Sequence, residues 1–371
     1  TKEWTEEWTT SIQSVHSVVH SFVHSFVHPV HQVHQVHPVH QMSALLINSF
    51  DMELEPPRRV TVDEVRQARE LIRGIATRTP LIRLELDDPD REIWLKLENL
   101  QPINAFKLRG AANAVAQLSD DERRKGVWTI SAGNAGQGVA YAARAAGIPC
   151  TVVVIETAPA TKVDRMSRLG ATLIKAPFDQ CWAAMETREF AGVEGTFVHP
   201  FDDHHFIAGN ATIALEILED LPEVDTVVAA IGGGGLISGV AAVLKELKPD
   251  ITIYGAEPET AAPAARSFSQ GKALEFPGWK SSFVDGAGGK SVFPRMWERM
   301  KDVVDDSLVV SLDQTRDAIR IMADRARVIS EGAGGLPVAA AMNGKAGKGR
   351  IVCIVSGGNI DPKLFAEIIS S

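Results

Sequence analysis

The stretch Lys96-Leu-Glu-Asn-Leu-Gln-Pro-Ile-Asn-Ala-Phe-Lys-Leu-Arg-Gly110 contains the residue around which the rest of the chain can be interpreted. Lys107 stands between Phe106 and Leu108, where a β-rich run gives way to small residues typical of a helix. Partial desolvation of an amine disfavours the ammonium form and lowers its pKa, which is how a lysine becomes able to form a Schiff base. Most lysines beside apolar residues only extend their amine to solvent, so this stretch alone leaves both interpretations open.

Length, charge and cysteine content exclude several classes of protein. With 371 residues the chain is long enough for two domains of ordinary size. The net charge of -9, without a basic run, argues against nucleic acid or an anionic membrane as the partner and favours a small molecule. No apolar run is long enough to span a bilayer. Cys150, Cys181 and Cys353 include no Cys-x-x-Cys pair, so we predict small core cysteines in a cytoplasmic protein.

Residues 1–51 differ in composition from the rest of the chain. Eight of the 11 histidines lie between His16 and His40, at spacings of four and then three residues. A metal-binding tract is one interpretation, since histidines at i and i+4 share a helix face. A low-complexity extension, disordered or non-native, is the other. We favour the extension because Pro29 and Pro38 interrupt any continuous helix.

From residue 61 onward, the chain alternates between helical and strand patterns. Thr61 and Glu64 form a capping box at the start of the first helix. The predicted strands are 93–97, 127–130, 151–155, 172–175, 226–231, 251–256 and 351–355. The further predicted helices are 110–117, 137–146, 161–169, 180–190, a helix after the glycines that ends near 247, and 314–328. This alternation, with continuously apolar strands, predicts parallel sheets covered by helices on both faces.

The run Gly232-Gly-Gly-Gly-Leu236 separates a predicted strand from a predicted helix. Glycines leave the backbone amides uncovered, so several N–H groups and the helix N-terminus can converge on a phosphate. A tight turn is the simplest alternative. A dinucleotide site is another, because Glu257 follows after about twenty residues, although no strict Gly-x-Gly-x-x-Gly is present.

Two further turns follow predicted strands. Ser131-Ala-Gly-Asn-Ala-Gly-Gln-Gly138 offers hydroxyl and amide donors that suit a carboxylate at a helix N-terminus, or else an asparagine cap with turn glycines. Ser356-Gly-Gly-Asn359 places a serine after an apolar strand. If the ligand contains a pyridine ring, a serine hydroxyl facing the ring nitrogen would leave that nitrogen unprotonated. An ordinary turn is the alternative.

In this order and spacing, the four segments resemble the fold-type II pyridoxal-phosphate enzymes, and within them the threonine/serine dehydratase (ammonia-lyase) and serine racemase group. The resemblance extends over about 62–361. It implies an α/β fold like that of the tryptophan synthase β subunit, with two three-layer αβα domains and mostly parallel sheets. Residues 52–119 and 201–371 would form a large cofactor-binding domain and 120–200 a small mobile domain. A homo-oligomer, either a dimer or a tetramer, is also expected.

The resemblance also implies a role for individual residues. Lys107 would be the catalytic residue, bound to pyridoxal 5'-phosphate and then released to remove the α-proton of the substrate. The implied cofactor-binding residues are Phe106, Lys107, Asn134, Gly232, Gly233, Gly234, Gly235, Leu236, Glu331, Ser356 and Gly357. The implied substrate-binding residues are Ser131, Ala132, Gly133, Asn134 and Ala135, with Ser131 and the neighbouring amides holding the carboxylate.

The implied reaction is β-elimination of L-threonine and/or L-serine to a 2-keto acid and ammonia. A dehydratase for another β-substituted amino acid, such as 3-hydroxyaspartate or phenylserine, an amino-acid racemase, and a non-catalytic binder of the cofactor or of a nucleotide are the alternatives. Ala132 stands where the racemases carry the serine that delivers a proton to the second face, so we expect little racemisation. Ala135 replaces a usual histidine and leaves the substrate open.

A cation site is a further implication of the resemblance. Glu257 and Ala261 match two positions of the serine racemase cation site, but Pro263 stands where an aspartate would provide the third ligand. Losing one of three protein ligands weakens a site for a hard ion. A divalent cation, a monovalent cation and no ion therefore all stay open.

Overall fold

A six-stranded sheet and a four-stranded sheet form the framework of this α/β protein. The computed structural model describes residues 54–158 and 160–371, so the histidine-rich tract and the predicted extension 1–51 lie outside the described residues. The strands are β1 Leu81–Leu84, β2 Arg91–Leu97, β3 Val127–Ile130, β4 Cys150–Ile155, β5 Thr172–Ala176, β6 Thr196–Phe197, β7 Thr226–Ala230, β8 Thr252–Pro258, β9 Asp306–Val310 and β10 Gly349–Val355. The helices are α1 Val62–Leu71, α2 Lys107–Ala116, α3 Asp120–Lys125, α4 Asn134–Ala146, α5 Ala160–Arg168, α6 Phe178–Thr187, α7 His204–Asp220, α8 Gly235–Leu247, α9 Pro263–Gln270, α10 Pro294–Met300, α11 Leu312–Ala326, α12 Gly332–Met342 and α13 Pro362–Ser370.

The strand order brings three of the predicted site segments to one edge of the larger sheet. Its order is β1-β2-β10-β7-β8-β9, and that of the smaller sheet is β5-β4-β3-β6. β1 is antiparallel to β2, and the other strand pairs are parallel. Since β2, β10 and β7 are neighbours and run in the same direction, the residues that follow them meet at the carboxyl edge, where open α/β sheets bind ligands.

Apolar side chains cover both faces of each sheet. In β7, Val227 packs on one side with α1, α7 and α8, whereas Val228 packs on the other side with α11 and α12. In β3, Val127 packs against α4 and Trp128 packs against α6. Strands buried on both faces explain the continuous apolar runs of the sequence. The predicted architecture of two helix–sheet–helix layers with mostly parallel strands is therefore confirmed.

The strands of the smaller sheet all lie between 127 and 197. This range falls inside 120–200, for which the sequence predicts a small mobile domain. The movement of that domain, and the division at 119 and 201, stay predictions. Within the part of the chain that the structure describes, no helix combines the length and apolar character needed to cross a bilayer. All three cysteines are free and buried, as the sequence predicts for small core residues.

Helices α3, α7, α9, α10, α12 and α13 were not predicted from the sequence, and the start of α2 was predicted too late. α2 begins at Lys107, three residues before the predicted start, because the Arg109 amide already bonds to the Phe106 carbonyl over 2.9 Å. α12 was not predicted as a helix. It contains Pro337 and three glycines, residues that disfavour an isolated helix. Burial between the sheet and α11 stabilises it instead.

Candidate active site

Lys107 holds its amine in an apolar pocket. The amine nitrogen Nζ lies 5.1 Å from the ring centroid of Phe106 and 5.4 Å from that of Phe206. It donates a hydrogen bond to the Pro200 carbonyl oxygen over 2.6 Å. Burial lowers the pKa of Lys107 to about 8, and the nearby Glu331 carboxylate opposes that shift. About a tenth of the amine is then neutral at about pH 7, which makes it a usable nucleophile or base.

The segment after β10 forms backbone hydrogen bonds with the residues just before Lys107. The Phe106 amide donates to the Ser356 carbonyl over 3.0 Å, and Ala105 and Gly357 form an antiparallel bridge. Ser356 itself is buried, with 3% of its surface exposed. Two predicted segments that are far apart in sequence therefore lie side by side, with Ser356 and Gly357 next to Lys107.

Residues 232–235, called the glycine loop below, connect β7 to the N-terminus of α8. Gly234 caps the helix with a φ of +86°, a left-handed conformation that glycine adopts without strain, and Gly235 is the first helical residue. Gly232 lies so close to Gly286 that a Cβ at position 232 would be 2.8 Å from the Gly286 carbonyl oxygen. Leu236 is buried in the core. Because the first amides of a helix lack intrahelical partners and carry the positive end of its dipole, this loop suits an anion.

The effect of Gly233→Ala tests the loop. A Cβ at Gly233 would lie 2.2 Å from the Phe201 ring, so the variant must displace either the ring or the loop. Overpacking of this kind costs about 1–3 kcal/mol, and we expect the affinity for pyridoxal phosphate to fall by about ten- to a hundredfold. Equilibrium titration of the full chain with pyridoxal phosphate measures this affinity. Gly289→Ala is the control, since its Cβ would make only an ordinary contact of 3.4 Å with Ser291; equal losses in both variants would contradict the role of the loop.

The predicted carboxylate turn lies between β3 and α4. The Gly133 amide donates to the Ser131 hydroxyl over 3.1 Å, which closes the turn. α4 starts at Asn134, so the first amides of a helix are again available for an anion. Ala132 is half-buried and Ala135 is 4% exposed. The predicted substrate-binding residues therefore lie together at one helix N-terminus.

Asn134 connects the two sheets through side chains. Its amide nitrogen donates to one Glu331 carboxylate oxygen over 2.8 Å, and its amide oxygen accepts from Asn359 over 2.8 Å. The Asn359 backbone amide donates to the other Glu331 oxygen over 3.2 Å. Since the Glu331 charge also acts on Lys107, the structure brings Asn134, Glu331 and Lys107 into one site.

Glu257, a predicted cation ligand, accepts hydrogen bonds within the protein. Its carboxylate oxygens accept from the amides of Ala264 and Ala265 over 3.0 and 2.8 Å and from the Ser307 hydroxyl over 2.8 Å. Burial raises the pKa of Glu257 to about 7. Within the described ranges, no group of three or more His, Cys, Asp or Glu residues is arranged to hold a metal ion. The cation at Glu257 and Ala261 stays a prediction. The Glu257 side chain is fully buried, so it is unsuited to bind the ribose of a dinucleotide, the other ligand considered for this residue.

Local sequence patterns did not indicate the segment that runs from the end of β6 into the first turn of α7, which completes the pocket around Lys107. Pro200 supplies the carbonyl that accepts from Lys107, Phe201 packs on the glycine loop, and Phe206 supplies one of the two rings. Asn359 was not predicted to be a site residue. The only sequence signal was a proline followed by an aromatic residue after an apolar run, which is too common to indicate a site.

The residues present fit pyridoxal phosphate. This cofactor carries an aldehyde, a phosphate and a pyridine nitrogen, and the site offers a group suited to each. Lys107 supplies an amine with a lowered pKa, the crowded glycines open the N-terminus of α8, and Ser356 supplies a buried hydroxyl. An anion at a helix N-terminus needs no further charge partner.

Comparison with known proteins supports the same cofactor. The family model of pyridoxal-phosphate dependent enzymes matches residues 72–357. The chain is 40% identical to an L-threonine ammonia-lyase of Thermotoga maritima, over 84% of this chain and 78% of the relative. It is 38% identical to a catabolic L-threonine dehydratase of Staphylococcus aureus, over 85% of this chain and 94% of the relative. The solved structure of maize serine racemase superposes with a TM-score of 0.75 at 32% identity, covering 84% of this chain and 98% of the racemase. On the strength of the family model and these relatives, the chain belongs to the pyridoxal-phosphate dependent enzymes and has their fold-type II architecture.

Proposed function

We propose that this chain is an ammonia-lyase that converts L-threonine and/or L-serine into a 2-keto acid and ammonia by β-elimination. The observation that carries the proposal is the amine of Lys107, whose pKa is lowered to about 8 in a pocket next to a glycine-lined helix N-terminus. The names of the two relatives, an L-threonine ammonia-lyase and an L-threonine dehydratase, support threonine as the first substrate to test.

Each part of the site has a separate role in this reaction. Pyridoxal phosphate, when bound, withdraws electrons from the bonds at the α-carbon of the substrate. The amides of Gly232–Gly235 would hold the phosphate, and those at the start of α4, with Ser131, would hold the substrate carboxylate. With both ends held, the Cα–H bond is oriented for cleavage. Lys107 would hold the cofactor aldehyde and, as a neutral amine, would accept the α-proton of the substrate.

Ser356 would face the pyridine nitrogen, and a serine there would favour elimination. Its hydroxyl would leave the nitrogen unprotonated, whereas an aspartate would protonate it and strengthen electron withdrawal. Loss of a β-hydroxyl relieves the charge on the α-carbon at once, so weak electron withdrawal is sufficient. Transamination needs that charge to persist and would be less well served by a serine.

A substrate panel tests the proposal. Holoenzyme is incubated with L-threonine, L-serine, 3-hydroxyaspartate and phenylserine, and both 2-keto acid and D-amino acid are measured. We expect keto acid from threonine or serine and little D-serine, since Ala132 has no hydroxyl to donate a proton to the second face. If only 3-hydroxyaspartate or phenylserine yields keto acid, that amino acid is the substrate instead of threonine or serine. D-serine as the main product would favour a racemase, the function named for the maize neighbour.

The proposal extends to motion and assembly. We propose that residues 120–200 move as the small domain, opening the site for substrate. The separate sheet of β3 to β6 and the side-chain bonds of Asn134 to Glu331 and Asn359 across the two sheets support this. The predicted homo-oligomer can be checked by sedimentation velocity of the full chain.

The pH dependence of cofactor capture follows from the lysine. Only the neutral amine attacks an aldehyde, and burial lowers the pKa of Lys107 to about 8. The capture rate of cofactor-free chain should therefore rise about tenfold per pH unit up to about 8 and level off above it. Stopped-flow absorbance at a series of pH values measures this rate, with Lys107→Ala as the background. A rise that continues to about pH 10 would indicate an ordinary exposed lysine.

A further inference from the structure

The turn formed by residues 199–202 contacts both halves of the site. Its Pro200 carbonyl accepts the hydrogen bond from Lys107 Nζ over 2.6 Å. The next residue, Phe201, places its ring where a Cβ at Gly233 would be 2.2 Å away, and its carbonyl oxygen would be 2.7 Å from a Cβ at Gly235. One short segment therefore determines where the amine lies relative to the glycine loop.

His199 holds this turn through one ring nitrogen. Nδ1 accepts from the Asp202 amide over 2.9 Å and from the Phe201 amide over 3.3 Å. The residue is 3% exposed, and burial, assisted by the positive charge of Arg188, lowers the pKa of His199 to about 3. The imidazole is therefore neutral, and because Nδ1 faces two N–H donors, its proton is on Nε2.

The surroundings leave the imidazole little freedom. Its ring packs edge-on against Phe201, with centroids 4.4 Å apart and an interplanar angle of 82°. The Asp202 carboxylate, at the other end of the turn, accepts from Arg188 over 2.9 Å, from Arg295 over 2.7 Å and from Arg299 over 3.3 Å. Arg188 ends α6, and Arg295 and Arg299 lie on α10, so helices that pack on the two different sheets both hold the turn.

We propose that His199 is a positioning residue that aims the Pro200 carbonyl at Lys107 and sets the spacing between that lysine and the glycine loop. This rests on the proposed function, which makes Lys107 the reactive amine. In this proposal the effect of His199 on the amine is indirect. The residue acts through two backbone amides, which would otherwise be buried without an acceptor and would rotate to find one.

A pair of variants separates positioning from packing. Asparagine can present its side-chain oxygen where histidine presents Nδ1, whereas leucine fills the space without an acceptor. The pKa of the Lys107 amine is measured in cofactor-free full chain from the pH dependence of its acetylation by acetic anhydride, followed by peptide mass spectrometry. Affinity for pyridoxal phosphate is measured by titration, and thermal unfolding shows whether each variant is folded.

In His199→Leu, the Pro200 carbonyl no longer stabilises the ammonium form. We expect the pKa of Lys107 to fall by at least about 0.5 and cofactor affinity to fall about tenfold. His199→Asn should keep the wild-type pKa and stay within about threefold in affinity. If the leucine variant does not fold, His199→Gln replaces it, because its acceptor is displaced by one bond, and the same directions are expected.

Two results would overturn the proposal. One is a wild-type Lys107 pKa and a wild-type affinity in the leucine variant, since His199 would then only fill space. The other is an equal loss in the leucine and asparagine variants, since the accepting atom would then be irrelevant. A wild-type chain that captures no cofactor at Lys107 would instead refute the proposed function, and the pKa measured without cofactor would still decide the role of His199.

Discussion

Replacing Lys107 by alanine is expected to lower kcat/KM for 2-keto acid release by at least about a thousandfold. A positioned general base contributes about a hundred- to ten-thousandfold by itself, and loss of the anchoring amine adds to that effect. The alanine side chain leaves the rings of Phe106 and Phe206 in place, so the fold should not change. The measurement is keto acid release from L-threonine by purified variant saturated with pyridoxal phosphate.

A matched lysine separates this effect from a general loss of charge. Lys363 is exposed on α13, and Lys363→Ala should release keto acid at the wild-type rate. Borohydride reduction of the wild-type holoenzyme should fix the cofactor on the peptide that contains residue 107. Keto acid release by Lys107→Ala within tenfold of wild type, or an adduct on another lysine, would refute the assignment.

The second large effect concerns stability. Arg109 is almost fully buried two residues after the lysine, on the same helix. Its guanidinium donates to Glu98 over 2.8 Å through two nitrogens and to Glu216 over 2.7 and 2.9 Å. Lys96 donates to Glu216 over 2.5 Å. Burial alone would raise the pKa of Glu98, but the charge of Arg109 holds it below its usual value.

Arg109→Leu would leave two buried carboxylates facing one lysine. Removing one partner from a buried ionic network costs about 3–5 kcal/mol of unfolding free energy, and we expect the urea midpoint to fall accordingly. Because α2 starts at Lys107, loss of the network should also release the helix that presents the amine. Urea unfolding followed by far-ultraviolet circular dichroism measures the midpoint.

An exposed arginine is the control for this variant. Arg124 pairs with Asp121 on the surface of α3, with 70% and 78% of the two side chains exposed. Exposed pairs contribute up to about 1 kcal/mol, so Arg124→Leu should hardly move the urea midpoint. A similar midpoint for Arg109→Leu and Arg124→Leu would show that the buried network does not stabilise the fold.

Seven strands could be predicted because their signal is local, whereas β1, β6 and β9 were not predicted. Apolar β-branched runs such as 127–130 and 151–155 match β3 and β4 to within one residue, since a strand buried on both faces is continuously apolar in sequence. The turns at Gly232 and Ser131 were also predictable, because glycines after a strand indicate an open helix N-terminus. Helix starts were less accurate: α4 begins at Asn134 instead of Gln137, because the turn at Gly133 already has the geometry of a cap.

Other features could not be predicted from local patterns. α12 contains Pro337 and has almost no polar face, so it shows no helical periodicity, and only its burial against β10 and α11 makes it a helix. The turn at residues 199–202 could not be predicted from local patterns either. Its function depends on distances to Lys107 and Gly233, which are about 90 and 30 positions away along the chain, and no spacing rule connects them.

The sequence by itself determined the alternation of strands and helices, the four turns at strand ends, and the identity of the candidate lysine. These depend on residues that are near one another in the chain. Only the tertiary structure decided the chemical state of that lysine. The pKa of Lys107 is lowered because Phe206 and the segment that carries the Pro200 carbonyl exclude water from its amine, and desolvation depends on which distant segments fold against a group.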